Sequence, residues 1–351
     1  MKQFCTVVTR SHLHYVASLS DSLQSSGNTE PLFVLVADSG PAGVPPDSDL
    51  VRYIPYERVA DQLPPMLRYY YDPFELSNAL KPYLITLLFD QCGADRVIYL
   101  DSDLLVTGSF AAVWDGFGSA SVQVSLHQFT PPPLGFKVIS EVHVTDMGFI
   151  NGGFAAWRDS PEARLMLDWM RTRFVVYGFC DRRHGMFVDQ KLMPLLLQYF
   201  PADVAVLRHP GINVAFWNAY EREVHRSADG RWKIGDADVI FFHLSGYRLT
   251  SPGVPCTYLE AGTNALILSK SPWMSAVLAQ YHEVLARHRA DGPPAPYAFA
   301  SYRGVTLTQE YRRLIFRTGG LDRGTYAFWR IWVREHLRLL KRLLVRLVPR
   351  S

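Results

Sequence analysis

The stretch RVIYLDSDLLVTGSF, Arg96 to Phe110, decides how the chain is read. A β-branched, apolar run leads straight into two carboxylates, Asp101 and Asp103, with Ser102 between them. A strand has a side-chain period of two, so both acids are expected to project from the same face. Two carboxylates one strand repeat apart repel each other unless a cation, a proton or water lies between them. The run therefore predicts a strand end with something positive beside it.

Around this stretch the sequence alternates. QFCTVVTR and PLFVLVAD read as strands, the second ending in Asp38-Ser39-Gly40, and HYVASLSDSLQ between them reads as a helix. LSNALKPYLITLLFDQCG reads as an amphipathic helix closed by Gly93, and RVIYLD follows at once. This rhythm predicts an α/β fold with a mainly parallel sheet covered by helices on both faces. Ligands of such sheets sit beyond the carboxyl ends of the strands, where Asp101 and Asp103 fall. Further on, GFINGGFAAWR reads as a strand interrupted by Gly152 and Gly153, which mark a close approach. SPEARLMLDWMRTRF has Ser160 as N-cap and Pro161 in the first helical position. MFVDQKLMPLLLQYF reads as a helix with Asp189 and Gln190 near its start, where Asp189 also suits a cap. DVIFFHLSGY is a buried strand ending at His243, with Gly246 in the turn after it.

The composition narrows the class. Of 351 residues, 48% are hydrophobic and 20% charged, which supplies a large core and excludes wholesale disorder. A net charge of +3 gives no case for nucleic-acid binding. Cys5, Cys92, Cys180 and Cys256 have no metal-like spacing and read as reduced thiols of a cytoplasmic protein. Neither a signal peptide nor a spanning helix is expected. The expected organisation is a catalytic domain over 1–290, a Pro/Gly-containing linker and irregular segment over 291–322, and a terminal helix over 323–351.

His243, Asp101 and Asp103, at separate strand ends of one expected sheet, make a set of two hard donors and one borderline donor. Such a site suits Mn²⁺ or Mg²⁺ with open positions for phosphate oxygens. The chemistry expected there is neutralisation of a departing diphosphate.

With these elements in view, the chain resembles the GT-A nucleotide-sugar glycosyltransferases, and most closely the bacterial members of glycosyltransferase family 8, the lipopolysaccharide galactosyl- and glucosyltransferases. ALKPYLITLLF, VIYLDSDLLV, FINGGFAAW, FVDQKLMPLL and FFHLSGY occur in that family's order over roughly residues 3 to 260, and NVAFWNAYER, Asn213 to Arg222, also looks familiar. The resemblance implies a GT-A fold, a metal held by Asp101, Asp103 and His243, and Lys81 near the donor sugar and diphosphate. It implies that Ser102, Asn151, Gly152, Gly153 and Gly246 line the donor site. Asp189 then bonds sugar hydroxyls and Gln190 lies by the anomeric carbon, in a retaining front-side reaction. The implied partners are a nucleotide-sugar donor, UDP-galactose or UDP-glucose, and a saccharide or glycolipid acceptor.

Two departures stand out. Thr9-Arg10-Ser11 replaces the family's nucleobase carboxylate, with Asp38 as the substitute candidate. Leu249 stands at the lysine position of HxxGxxK, so Arg248 is the candidate for the diphosphate. Trp217 is either core or a platform for the acceptor, and His127, His143 and Asp146 lie in a candidate acceptor loop.

From Arg323 to Ser351 eight Lys/Arg face one acid, Glu335. On a helix, arginines gather on one side and Trp329, Trp332, Leu337, Leu340 and Leu344 on the other, which reads as an anchor on an anionic membrane surface. A partner helix is the alternative. The expected location is cytoplasmic, peripheral to the inner leaflet of the plasma membrane. Two other functions compete: a haloacid-dehalogenase-like phosphatase, whose signature needs Thr or Val where Leu105 stands, and a non-catalytic metal- and membrane-binding scaffold.

Overall fold

The computed structural model describes residues 1–40, 43–289 and 293–319, with 333, 334 and 337. Its main sheet has seven strands in the order Val204–Val206, β6 (Val122–Leu126), β7 (Ile150–Arg158), β4 (Arg96–Leu100), β1 (Lys2–Val8), β2 (Leu32–Val36) and β3 (Val51–Pro55). All neighbours run parallel except β7, which is antiparallel to both β4 and β6. The expected α/β class with a mainly parallel sheet is the one observed. Reversing β7 has a consequence for the site. Its first residues, rather than its last, lie at the carboxyl ends of β1 and β4.

Strand alternation divides the core. Phe4 and Val8 of β1 join Val16, Leu19 and Phe110 on one face, whereas Cys5 and Val7 join Leu80, Leu84 and Trp157 on the other. The helix Pro73–Gln91 carries much of this second layer. Asp72 and Glu75 form its capping box, and it begins ahead of the expected start at Leu76. It is not amphipathic as expected: thirteen of its nineteen residues are buried, because it is packed between the sheet and the helix Pro161–Tyr177. Pro82 lies inside it and removes one backbone donor. Ser160 and Pro161 start the helix Pro161–Tyr177 as expected, with Ser160 accepting from the Ala163 N–H.

Three expectations are corrected. The helix expected over Met186–Phe200 covers Pro194–Tyr199 alone; Val188 has φ of 43° and Pro194 sets the helix start, so Asp189 and Gln190 ride on turns. The strand Phe241–His243 leaves the main sheet and pairs antiparallel with β5 (Leu104–Val106). Finally, 293–319 is no irregular linker. Ser301–Tyr302 and Val305–Thr306 form a hairpin, Gln309–Gly319 a helix, and Phe299, Leu307 and Ile315 enter the main core. Arg312 is buried there, donating to the carbonyls of Tyr69, Tyr71 and Phe299, and Arg313 forks onto the buried Glu75.

The basic helix expected over 323–351 lies, apart from 333, 334 and 337, outside the described residues. Among the described residues no helix is long and apolar enough to cross a membrane. All four cysteines are free thiols.

Because Arg312 satisfies three buried carbonyls, Arg312→Ala is expected to lower the unfolding free energy by about 2 kcal/mol in urea titrations. A loss below about 0.5 kcal/mol, the range of an ordinary surface change, would instead mark 293–319 as loosely attached.

Candidate active site

β4 ends at Leu100, and Asp101-Ser102-Asp103 forms the turn into β5. The two acids therefore sit on a turn rather than on one strand face. The turn brings them to one point with His243, which the pairing of His243 with Leu104 sets beside Asp103. One ligand atom from each of Asp101, Asp103 and His243 lies within 4.8 Å of the others. Among the described residues this is the single such group of His, Cys, Asp and Glu.

The glycines of β7 make the gathering possible. β7 continues through Gly152 and Gly153, but its pairing with β6 jumps there, from Val124–Ala155 to Ser125–Asn151, and the Gly153 carbonyl accepts from the Asp101 N–H at 2.9 Å. A Cβ on Gly153 would stand 2.5 Å from His243 Cε1 and 2.9 Å from Asp101 Oδ2. One on Gly152 would stand 2.9 Å from Asp189 Oδ2. No side chain fits between the strand and the cluster.

Lys81 comes up from the middle of the helix Pro73–Gln91. Its Nζ donates to the Gly152 carbonyl and to Asp189 Oδ2, both at 2.9 Å, and lies 3.4 Å from Asp101 Oδ1. It also sits 4.6 Å above the Tyr99 ring, whose hydroxyl donates to Asp101 Oδ1 at 2.7 Å. Burial works against the ammonium, but Asp101 and Asp189 outweigh it and hold its pKa above the ordinary lysine value. Burial pushes Asp189 the other way and leaves its carboxyl above the usual range despite Lys81. Burial also opposes ionisation of Asp103, yet the His243 ring beside it keeps its pKa low.

A divalent cation fits this group. Asp103 Oδ1 is buried without a hydrogen-bond donor and stands 3.3 Å from His243 Nε2. Asp101, Asp103 and Asp189 bring three carboxyl groups to a half-enclosed site against the single ammonium of Lys81, an excess of acid that suits a divalent cation. Two carboxylates and one imidazole suit Mn²⁺ or Mg²⁺.

The other expected site residues divide. Asp189, Gln190, Asn151, Gly152 and Gly153 gather beside Lys81 and Asp101. Asn151 Oδ1 accepts from the Gly153 N–H, while Gln190 accepts from the Gly152 N–H and donates to the Met147 carbonyl. Asp189 does not cap a helix; its Oδ2 accepts from Lys81 Nζ. Thr9 bonds Ser11 and His12 at the end of β1. Asp38, the candidate for the nucleobase, is fully buried and accepts the backbone N–H groups of Arg10 and Ala298. Gly246 has φ of 79° with Cys256 and Tyr258 against its Cα, and Arg248 is exposed, its Nε on Thr257 Oγ1. Ser102 is half-buried in the turn.

Trp217 is core: it is buried and packs edge-on to His243 and His127. Of the candidate acceptor loop, His143 caps a short helix with Ser140 and Asp146 pairs with Arg182. His127 is buried behind Asn151, whose Nδ2 meets its Nε2 at 3.2 Å. Sequence reasoning missed Tyr99, although its place two residues before Asp101 put it on the right strand face.

Comparisons with known proteins come next to this geometry. No protein-family model matches the chain. It is 25% identical over 252 residues to the uncharacterized protein YfnF of Bacillus subtilis (strain 168), covering 71% of this chain and 82% of that protein. It is also 25% identical over 266 residues to YfnD of the same organism, covering 71% and 78%. Among solved structures, the galactosyltransferase LgtC in complex with donor and acceptor sugar analogs overlaps with a TM-score of 0.47 at 15% identity, covering 82% of this chain and 96% of that one. Mouse xyloside xylosyltransferase 1 overlaps with a TM-score of 0.40 at 15% identity, covering 69% and 96%.

Burial lowers the His127 pKa to about 4, so its folded ring resists a proton that the unfolded ring takes below its ordinary value of 6.5. Stability attributable to His127 is therefore whole above pH 6.5 and falls toward pH 4 by up to about 1.4 kcal/mol per pH unit. In urea titrations across that window, His127→Asn is expected to flatten the slope. Parallel curves for the two proteins would show that the ring is not sealed.

Proposed function

We propose that this protein is a metal-dependent, retaining glycosyltransferase of GT-A type. It moves a hexose from a nucleotide sugar, UDP-galactose or UDP-glucose, to a glycolipid or polysaccharide precursor. One observation carries the proposal: Asp101, Asp103 and His243 converge on one point, beside a Lys81–Asp189 pair and a glycine floor that leaves room for a ligand. The ordered motifs shared with family 8 point the same way.

Asp101, Asp103 and His243 would hold a divalent ion, which would supply positive charge for the departing diphosphate. Lys81 orients Asp101 and Asp189, and Arg248 adds an exposed guanidinium for phosphate oxygens. Asp189 and Asn151 orient the sugar beside Gly152 and Gly153. The acceptor hydroxyl attacks the anomeric carbon from the side on which the diphosphate leaves. The bond to the diphosphate breaks, and its departing oxygen takes the hydroxyl proton. Gln190, a neutral amide, stabilises positive charge on the sugar. The scheme asks for no protein nucleophile. A haloacid-dehalogenase-like phosphatase would need a nucleophilic aspartate, and here Asp101 is tied to Tyr99 and Lys81.

A panel of nucleotide sugars, assayed for Mn²⁺- or Mg²⁺-dependent release of free hexose without acceptor, tests the activity and names the donor. Asp103→Asn is expected to cut turnover of the preferred donor roughly a thousand-fold, a loss of about 4 kcal/mol. Turnover within a few-fold of wild type would remove the metal assignment, and no turnover of any donor by the wild type would favour a scaffold.

Residues 323–351 are proposed to bind an anionic membrane surface, which places the protein at the inner leaflet of the plasma membrane. Cosedimentation with vesicles containing anionic lipid is expected for the full chain and not for one ending at residue 322. Equal binding by both would refute that role.

A further inference from the structure

Asn213 is fully buried and adopts the left-handed conformation, with φ of 56°. Its backbone runs beside the strand that carries His243, whose N–H donates to the Val214 carbonyl at 2.9 Å. The Asn213 side chain has two contacts. Its Nδ2 donates to the Leu126 carbonyl at 3.2 Å, and its Oδ1 faces His243 Nδ1 at 3.1 Å. Because a carbonyl accepts only from the NH₂ end, Leu126 fixes which way the amide points. An oxygen then faces the ring, and Nδ1 must carry the hydrogen.

The alternative tautomer has its own attraction. With the hydrogen on Nε2, His243 would donate to Asp103 Oδ1, 3.3 Å away and otherwise without a donor. That bond would occupy both the imidazole nitrogen and one carboxylate oxygen. The ion-binding point would close on itself. The Trp217 ring, 5.0 Å from the His243 ring between centroids and nearly perpendicular to it, and the bare Cα of Gly153 hold the ring plane but do not select between tautomers.

We propose that Asn213 is a positioning residue that holds His243 as the Nδ1–H tautomer and keeps its Nε2 lone pair open to the ion. The proposal rests on the assignment of Asp101, Asp103 and His243 as a metal site. Its first test does not involve the metal: nitrogen-15 chemical shifts of the full chain in metal-free buffer, with the His243 signals identified by their loss in His243→Gln. The wild type is expected to show Nδ1–H, and Asn213→Gly, which keeps the left-handed backbone available, to show Nε2–H. An Nε2–H ring in the wild type overturns the proposal even if the glycine variant does not fold.

Mn²⁺ affinity by titration calorimetry is the second readout. Asn213→Gly is expected to lose ten- to a hundred-fold, the usual range for a lost partner of a metal-bound imidazole. Asn213→Asp, which restores an acceptor oxygen, is expected to recover to within a few-fold of wild type. Wild-type affinity in the glycine variant, or an equal loss in both variants, overturns the role of the acceptor. Absence of Mn²⁺ binding by the wild type would sink the metal site itself, and the tautomer would still decide what Asn213 does.

Discussion

Lys81 reaches the edge of the sheet from inside a helix that is buried on most sides, and the chemistry gathers around its ammonium. A carboxylate withdrawn from water costs several kcal/mol unless a partner and hydrogen bonds repay it. Asp189 is almost wholly buried, and its partner is Lys81. The same ammonium reaches Asp101 and the Gly152 carbonyl, so one cation aligns the turn after β4, the start of β7 and the turn before Pro194. Lysine suits this position better than arginine: its slim stem passes through the core and its three donors radiate to three separate acceptors. Without it, two negative side chains would face each other under a strand that has no side chains of its own to separate them.

The fold supplies those acceptors by reversing one strand. Were β7 parallel to its neighbours, Asn151-Gly152-Gly153 would lie at the far end of the sheet from Asp101. The antiparallel run places the first residues of β7 next to the last residue of β4, and Phe241–His243 enters from a separate ribbon to complete the group. On the proposed reading, the sheet provides the floor for a sugar, while β5 and its partner strand provide the wall against which phosphates rest.

Much of this was legible in residue order. Alternating strand and helix signals gave the class of fold, and the carboxylates after VIYL, the paired glycines and the strand-end histidine marked the site. What stayed hidden has physical causes. Asp101 and Asp103 fit a strand pattern as well as a turn, since a period of two cannot report where hydrogen bonding stops. Asp189 looked like a helix cap because local preference cannot register a lysine more than a hundred residues away. Asp38 gave no sign of the backbone donors that Arg10 and Ala298 supply to it, and the prolines after Asp291 concealed a segment that returns to the core. Asn213 carried one hint, since asparagine tolerates the left-handed region, but its partner is set by tertiary contact.

That returning segment bears on where the chain can be cut. Ala298 donates its N–H to Asp38, and Phe299 and Phe316 pack against the rings of Tyr69 and Tyr70. Residues up to 290 alone would thus leave these rings uncovered and the buried Glu75 without Arg313. The main core therefore continues through Phe299, Leu307 and Ile315, and a version shortened to residue 290 would be built without them.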